Sequence, residues 1–121
     1  MDEKRDGETP IATGKGELTS GGAFTGIARD ASDLKAVMAL LEDPKLGETA
    51  LIVNSSSATA VVPVLTRVRG IVCLSGGPTS HLALVARECS LPCVMGATID
   101  ADEPLDGRLV SVSDDGTISV S

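Results

Sequence analysis

The sequence predicts an α/β domain of short strands and about three helices. Three observations carry this prediction. Short apolar runs, Thr49–Val53 (TALIV) and Gly70–Leu74 (GIVCL), alternate with segments whose apolar residues recur at helical spacing. Leu109–Val112 and Thr117–Val120 flank Asp114-Asp115-Gly116, the pattern of a closing hairpin. Finally, 121 residues at 42% hydrophobic content suffice for one core. Phe24 is the only aromatic residue, so that core must be built from Val, Leu, Ile, Ala and Met.

Taken in order, residues 1–10 are charged and polar and end in Pro10, which predicts a mobile tail before a single domain over residues 11–121. Gly14 to Gly26 carries five glycines and reads as turns around short strands, with Phe24–Arg29 extended. Gly14-Lys15 is not the end of a P-loop: Thr9 stands where the first glycine is needed, and Gly16 where Ser or Thr must follow. Asp30–Glu42 predicts a helix with an apolar stripe of Leu34, Val37, Met38 and Leu41, capped by Asp30 or Ser32, with Pro44 just past its end. Met38 is expected in the core. Thr49–Val53 is a buried strand. A second helix begins in Ser55–Thr59 and carries Val61, Val64, Leu65 and Val68, with Pro63 tolerable only in its first turn. Gly70–Leu74 is the next strand. Thr79–Cys89 is a third helix with a stripe of Leu82, Val85, Ala86 and Cys89, and Cys93–Met95 opens a further strand.

Composition excludes several function classes. A net charge of -7 repels phosphate backbones, and with no Trp or Tyr the chain lacks platforms for stacking bases, so no nucleic-acid partner is expected. No apolar run approaches the ~18 residues that cross a membrane, and the first residues do not form a secretory signal. Cys73, Cys89 and Cys93 cannot all pair within one chain, and two of them sit in apolar stretches, which points to reduced thiols and a cytoplasmic setting. With one histidine and no second cysteine pair, Cys89 and Cys93 make no metal site. Asp100, Asp102 and Glu103 read as a solvated loop.

The most informative stretch is Leu74-Ser75-Gly76-Gly77-Pro78-Thr79-Ser80-His81. A buried strand ends, two glycines turn the chain, and a helix starts at Thr79 or Ser80. The first N–H groups of a helix lack intrahelical acceptors, and with the helix dipole they form a site for an anion. His81, the only histidine, stands in that first turn, where the dipole disfavours positive charge on the ring. A helix end contributes about 1–2 kcal/mol to a partly buried anion. Position alone is equally compatible with an ordinary surface histidine beside a Thr79 or Ser80 N-cap. The Ser80–His81 pair does not suggest a hydrolase, since adjacent residues rarely align as nucleophile and base and no G-x-S-x-G elbow is present.

Gly76-Gly77-Pro78-Thr79-Ser80-His81, continued by Leu82-Ala83-Leu84-Val85-Ala86-Arg87-Glu88, closely resembles the phosphohistidine signature of the PEP-utilising enzymes. That family includes pyruvate phosphate dikinase, phosphoenolpyruvate synthase, rifampin phosphotransferase and Enzyme I of the sugar phosphotransferase system. The similarity continues through Leu91-Pro92-Cys93-Val94-Met95-Gly96 and Leu105-Asp106-Gly107, and reaches back weakly to Gly22–Ala28 and Pro63-Val64-Leu65.

The resemblance implies a swivelling β/β/α domain in which His81 accepts phosphate, Thr79 orients the imidazole or its phosphate, and Gly76, Gly77 and Ser80 accommodate the phosphoryl group. Arg87 matches a family position. Six residues place it about 240° round the helix from His81, so an ion pair is its expected role. Leu82 stands where many relatives have alanine, which predicts a bulkier surface beside His81. Cys89-Ser90 replaces a helix-ending pair containing glycine. The family's nucleotide-binding and PEP/pyruvate-binding domains have no counterpart in these 121 residues, so either Mg²⁺ and ATP or PEP are expected on partners in trans, or the sequence is one domain of a longer protein; no cofactor or metal is expected on the chain itself. The preferred reading is a phosphoryl carrier that is not a complete phosphotransferase alone. The alternative is a non-catalytic interaction module that keeps the fold.

Overall fold

The computed structural model describes residues 12–31, 34–53, 62–65, 67–77, 80–100 and 105–121. The expected tail over 1–10, the Ser55–Thr59 helix start, Ser32, Asp102 and Glu103 lie outside them. The described elements are β1 (Ala12–Ser20), β2 (Phe24–Asp30), α1 (Leu34–Leu41), a 3₁₀ turn (Leu46–Glu48), β3 (Thr49–Val53), α2 (Val62–Leu65), β4 (Gly70–Cys73), α3 (His81–Glu88), β5 (Cys93–Asp100), β6 (Leu109–Val112) and β7 (Thr117–Val120). The strands form a closed barrel in the order β1-β5-β4-β3-β2-β6-β7. β2, β3, β4 and β5 run parallel, whereas β1, β6 and β7 join them through antiparallel ladders.

Period-two alternation sorts the strand residues into two cores. On β3, Ala50 and Ile52 face the barrel interior, where Phe24, Val72, Val94 and Ile118 also pack. Leu51 and Val53 face the other way, onto a layer with Val37, Leu40, Ile71, Leu82 and Met95. The barrel supplies two β layers and the helices cover one flank, which gives the α/β domain its β/β/α character.

Several elements differ from the expectation. β1 is one continuous nine-residue strand rather than short strands interrupted by turns. Its glycines serve close packing: a Cβ at Gly14 would lie 2.3 Å from the Thr98 carbonyl oxygen, and one at Gly16 2.4 Å from Val94 Cγ1. Asp30 is the last residue of β2, and Asp106 Oδ1 accepts its N–H at 2.8 Å, tying the strand to the segment that precedes β6. α1 is described over Leu34–Leu41, and its buried face differs from the expected stripe. Val37 and Leu40 are buried, while Met38 is 58% exposed and plays no part in the core. The β4 strand stops at Cys73, and Leu74 turns outward. The closing hairpin has the expected bounds. Pro63 is the second residue of the described α2 helix, and Val64, Leu65 and Val68 are buried as expected.

None of the three cysteines is in a disulfide; Cys73 and Cys93 are buried and Cys89 is exposed. Burial pushes the Cys93 thiol up to about 11, with the Thr19 hydroxyl opposing and Cys73 adding to the shift. Among the described residues no helix is long and apolar enough to cross a membrane.

Candidate functional site around His81

The loop after β4 is tied down on both sides. Leu74 N–H donates to the Val53 carbonyl of β3 at 2.9 Å. The Cys73 thiol donates to the Ser75 carbonyl at 3.1 Å. The same carbonyl accepts the Gly96 N–H of β5 at 3.4 Å. Gly76 then adopts φ +80°, which an L side chain disfavours. Gly77 has no such requirement. A Cβ there would meet nothing within 4 Å, so the surface at this point is bare.

Ser80 N–H closes the turn on the Gly77 carbonyl at 3.0 Å. Ser80 is extended (φ −69°, ψ 162°) and is the N-cap of α3, with its hydroxyl accepting from Ala83 N–H at 3.4 Å. Its own hydroxyl proton stays available to a second acceptor. The Leu84 N–H bonds the Ser80 carbonyl at 3.1 Å. His81 is therefore the first helical residue, with an exposed side chain. Its N–H and that of Leu82 find no acceptor among the described residues, as expected for a helix start. Thr79 and Pro78 lie outside the described residues, so the structure brings together His81, Ser80, Gly76 and Gly77 without a statement about Thr79.

The remaining positions on α3 correct the expected pattern. Leu82 is fully buried in the helix layer together with Ala83 and Ala86, so its side chain fills the core and does not enlarge the surface beside His81. Leu84, one turn on from His81, is the exposed leucine. Cys89 is exposed and drops out of the buried stripe. Arg87 Nη2 reaches the Thr19 carbonyl of β1 at 3.4 Å rather than pairing with a carboxylate among the described residues.

The C-terminus of α3 keeps the turn that glycine usually makes. Ser90 has φ 56°, Ser90 N–H donates to the Arg87 carbonyl at 3.1 Å, and Leu91 N–H donates to the Ala86 carbonyl at 2.9 Å. No group of three or more His, Cys, Asp or Glu among the described residues is placed to hold a metal ion.

Residues 46–116 match the family described as PEP-utilising enzyme, mobile domain. The chain belongs to this family. As a mobile domain it is 33% identical over 113 residues to a probable phosphoenolpyruvate synthase of Archaeoglobus fulgidus, covering 91% of this chain and 15% of that protein. The phosphoenolpyruvate synthase of Pyrococcus furiosus is 37% identical over 76 residues, covering 63% of this chain and 9% of that protein. The rifampicin phosphotransferase of Bacillus subtilis is 29% identical over 110 residues, covering 88% and 13%. The mobile domain thus spans 15% or less of the length of these relatives. Its fold is shared with aconitase X of Thermococcus kodakaraensis in the holo form, at a TM-score of 0.58 and 16% identity, over 90% of this chain and 98% of that one.

Proposed function

We propose that this mobile domain carries a phosphoryl group on His81 between a donor site and an acceptor site supplied by partner proteins or domains. The observation that carries the reading is His81 itself, exposed at the first position of α3 and preceded by a turn with a bare glycine. From Gly70 to Ala86 the chain contains no Asp, Glu, Lys or Arg, although it has 17 acidic residues overall. A phosphorylated donor therefore meets no carboxylate from this segment.

In the transfer, an unprotonated ring nitrogen of His81 donates its lone pair to phosphorus. The P–O bond to the donor breaks and its electron pair leaves with that oxygen. The other ring nitrogen keeps its proton. Helix-start N–H groups and the Ser80 hydroxyl proton then face the new anion, and positioning and electrostatics do most of the work. Thr79, two residues before His81, would orient the ring or its phosphate. ATP or PEP and the Mg²⁺ that accompanies them would be held by the partners, and the setting would be cytoplasmic.

The reading is tested by incubating the protein with labelled PEP or ATP and candidate partner enzymes. The expected result is acid-labile, base-stable label that is lost in His81→Ala. Equal labelling of the variant, or no labelling with any authentic partner, would overturn the carrier reading in favour of an interaction module.

A further inference from the structure

Gly96 lies within β5, far in sequence from the His81 turn, yet the loop rests on it. On β1, Lys15 pairs with Thr98 and Glu17 with Met95, so β5 carries one extra residue in that interval. Gly96 is in the left-handed region at φ +59°, the conformation of the first residue of a glycine bulge. The bulge also resets the alternation, so that Val94 and Ala97 both face the barrel interior. It turns the Gly96 N–H toward the Ser75 carbonyl, 3.4 Å away. Above the bare Cα stands the carbonyl oxygen of Gly76, and a Cβ at residue 96 would lie only 3.0 Å from it.

We propose that Gly96 is a positioning residue for phosphoryl transfer, acting through the Gly76-Gly77 turn on His81; this rests on the carrier reading above. The path is short. Leu74 is held to β3, and the Ser75 carbonyl is held by both the Cys73 thiol and Gly96. A side chain at 96 pushes Gly76 away from β5, and those ties leave Gly77 as the part that gives. Gly77 is bonded through its carbonyl to the Ser80 N–H, which sets the cap and therefore the position of His81. Two separate requirements, a positive φ and an empty space over Cα, converge on glycine at this position.

The two requirements are separable by experiment. Asn tolerates the left-handed region but carries a Cβ. Gly107 provides the control: it also has a positive φ, of 86°, but a Cβ there meets nothing within 4 Å. Phosphoramidate serves as donor without a partner enzyme; its P–N bond breaks as the His81 N–P bond forms, and ammonia leaves. Misplacement by 1 Å costs about 100-fold in rate, so a shift of about 0.3–0.5 Å slows labelling about 4- to 10-fold.

In Gly96→Asn the amide signals of Ser75–Gly77 and the ring signals of His81 should move in NMR spectra, and labelling should slow by that factor. Gly107→Asn should match the wild type in both. Gly96→Ala, with the smallest Cβ, replaces Gly96→Asn if the latter does not fold. Unmoved loop signals, a wild-type labelling rate at Gly96→Asn, or equal slowing in Gly107→Asn would overturn the proposal. Failure of wild-type His81 to take label from any donor would instead overturn the carrier reading, and the loop signals alone would then decide whether Gly96 sets the loop.

Discussion

Replacing Ser90 by glycine should stabilise the domain. Ser90 occupies the left-handed position after α3, with φ 56°, and both hydrogen bonds of the helix-ending motif form around it. An L residue in this conformation costs about 1–2 kcal/mol relative to the right-handed region. Glycine removes that cost but brings about 0.5–1 kcal/mol of extra freedom to the unfolded chain. The balance favours Ser90→Gly by about 0.5–1 kcal/mol. The Ser90 side chain is exposed, so no packing is lost. With no Trp or Tyr in the chain, urea unfolding is best followed by far-UV circular dichroism. The midpoint should rise with an unchanged slope, and the melting temperature should rise by about 2–6 °C. An unchanged or lowered midpoint would refute the view that this turn holds Ser90 against its backbone preference.

Gly70→Ala should destabilise by about 1–3 kcal/mol, because the added methyl overpacks the barrel interior. Its Cβ would lie 2.4 Å from Phe24 Cε2, and a Phe24→Leu background should recover part of the loss in a double-mutant cycle. Stability should also fall in acid. The Lys45 N–H and then Arg29 hold Asp43 below its ordinary 3.8, and the Ser113 hydroxyl and then Thr117 hold Asp115 low. Since the unfolded chain binds these protons more readily, their contribution is in place above pH 3.8 and is lost as pH falls below it, which urea midpoints measured across that range will show. Cys93 has the opposite dependence: its stabilising neutral form is lost as pH rises from 9.0 through about 11. A thiol reagent at neutral pH should react at once with Cys89 and reach Cys73 and Cys93 only through unfolding.

What was legible in the sequence follows from how local each signal is. Thr49–Val53 and the closing hairpin are apolar runs bounded by turn residues, and they fold with the bounds so inferred. His81 and its Ser80 cap were legible because capping is a matter of three or four residues. β1 was not, because its glycines answer to Thr98 and Val94, residues that pattern reading cannot place beside them. Met38 failed for a related reason. A helical stripe fixes a face only to within a residue, and the buried face of α1 falls on Val37 and Leu40. Leu82 was misread because its partners belong to the helix layer, and the contact of Arg87 with the Thr19 carbonyl was out of reach because β1 is distant in sequence. Gly96 is the clearest case: its sequence neighbours mark it only as a strand glycine, and its contact with Gly76 exists only once β4 and β5 are aligned.

Closure of the barrel bears on how such a domain keeps company with others. Each described strand has a ladder on both sides, and along those ladders the backbone N–H and C=O groups are already paired and are not offered to an extended segment of another chain. Strand addition, a recurring way for one protein to bind a β-sheet, has no place along those ladders. Along them, contact with another protein falls to side chains. Under the carrier role proposed above, in which each partner must be released after every transfer, edges already paired along their ladders would aid turnover.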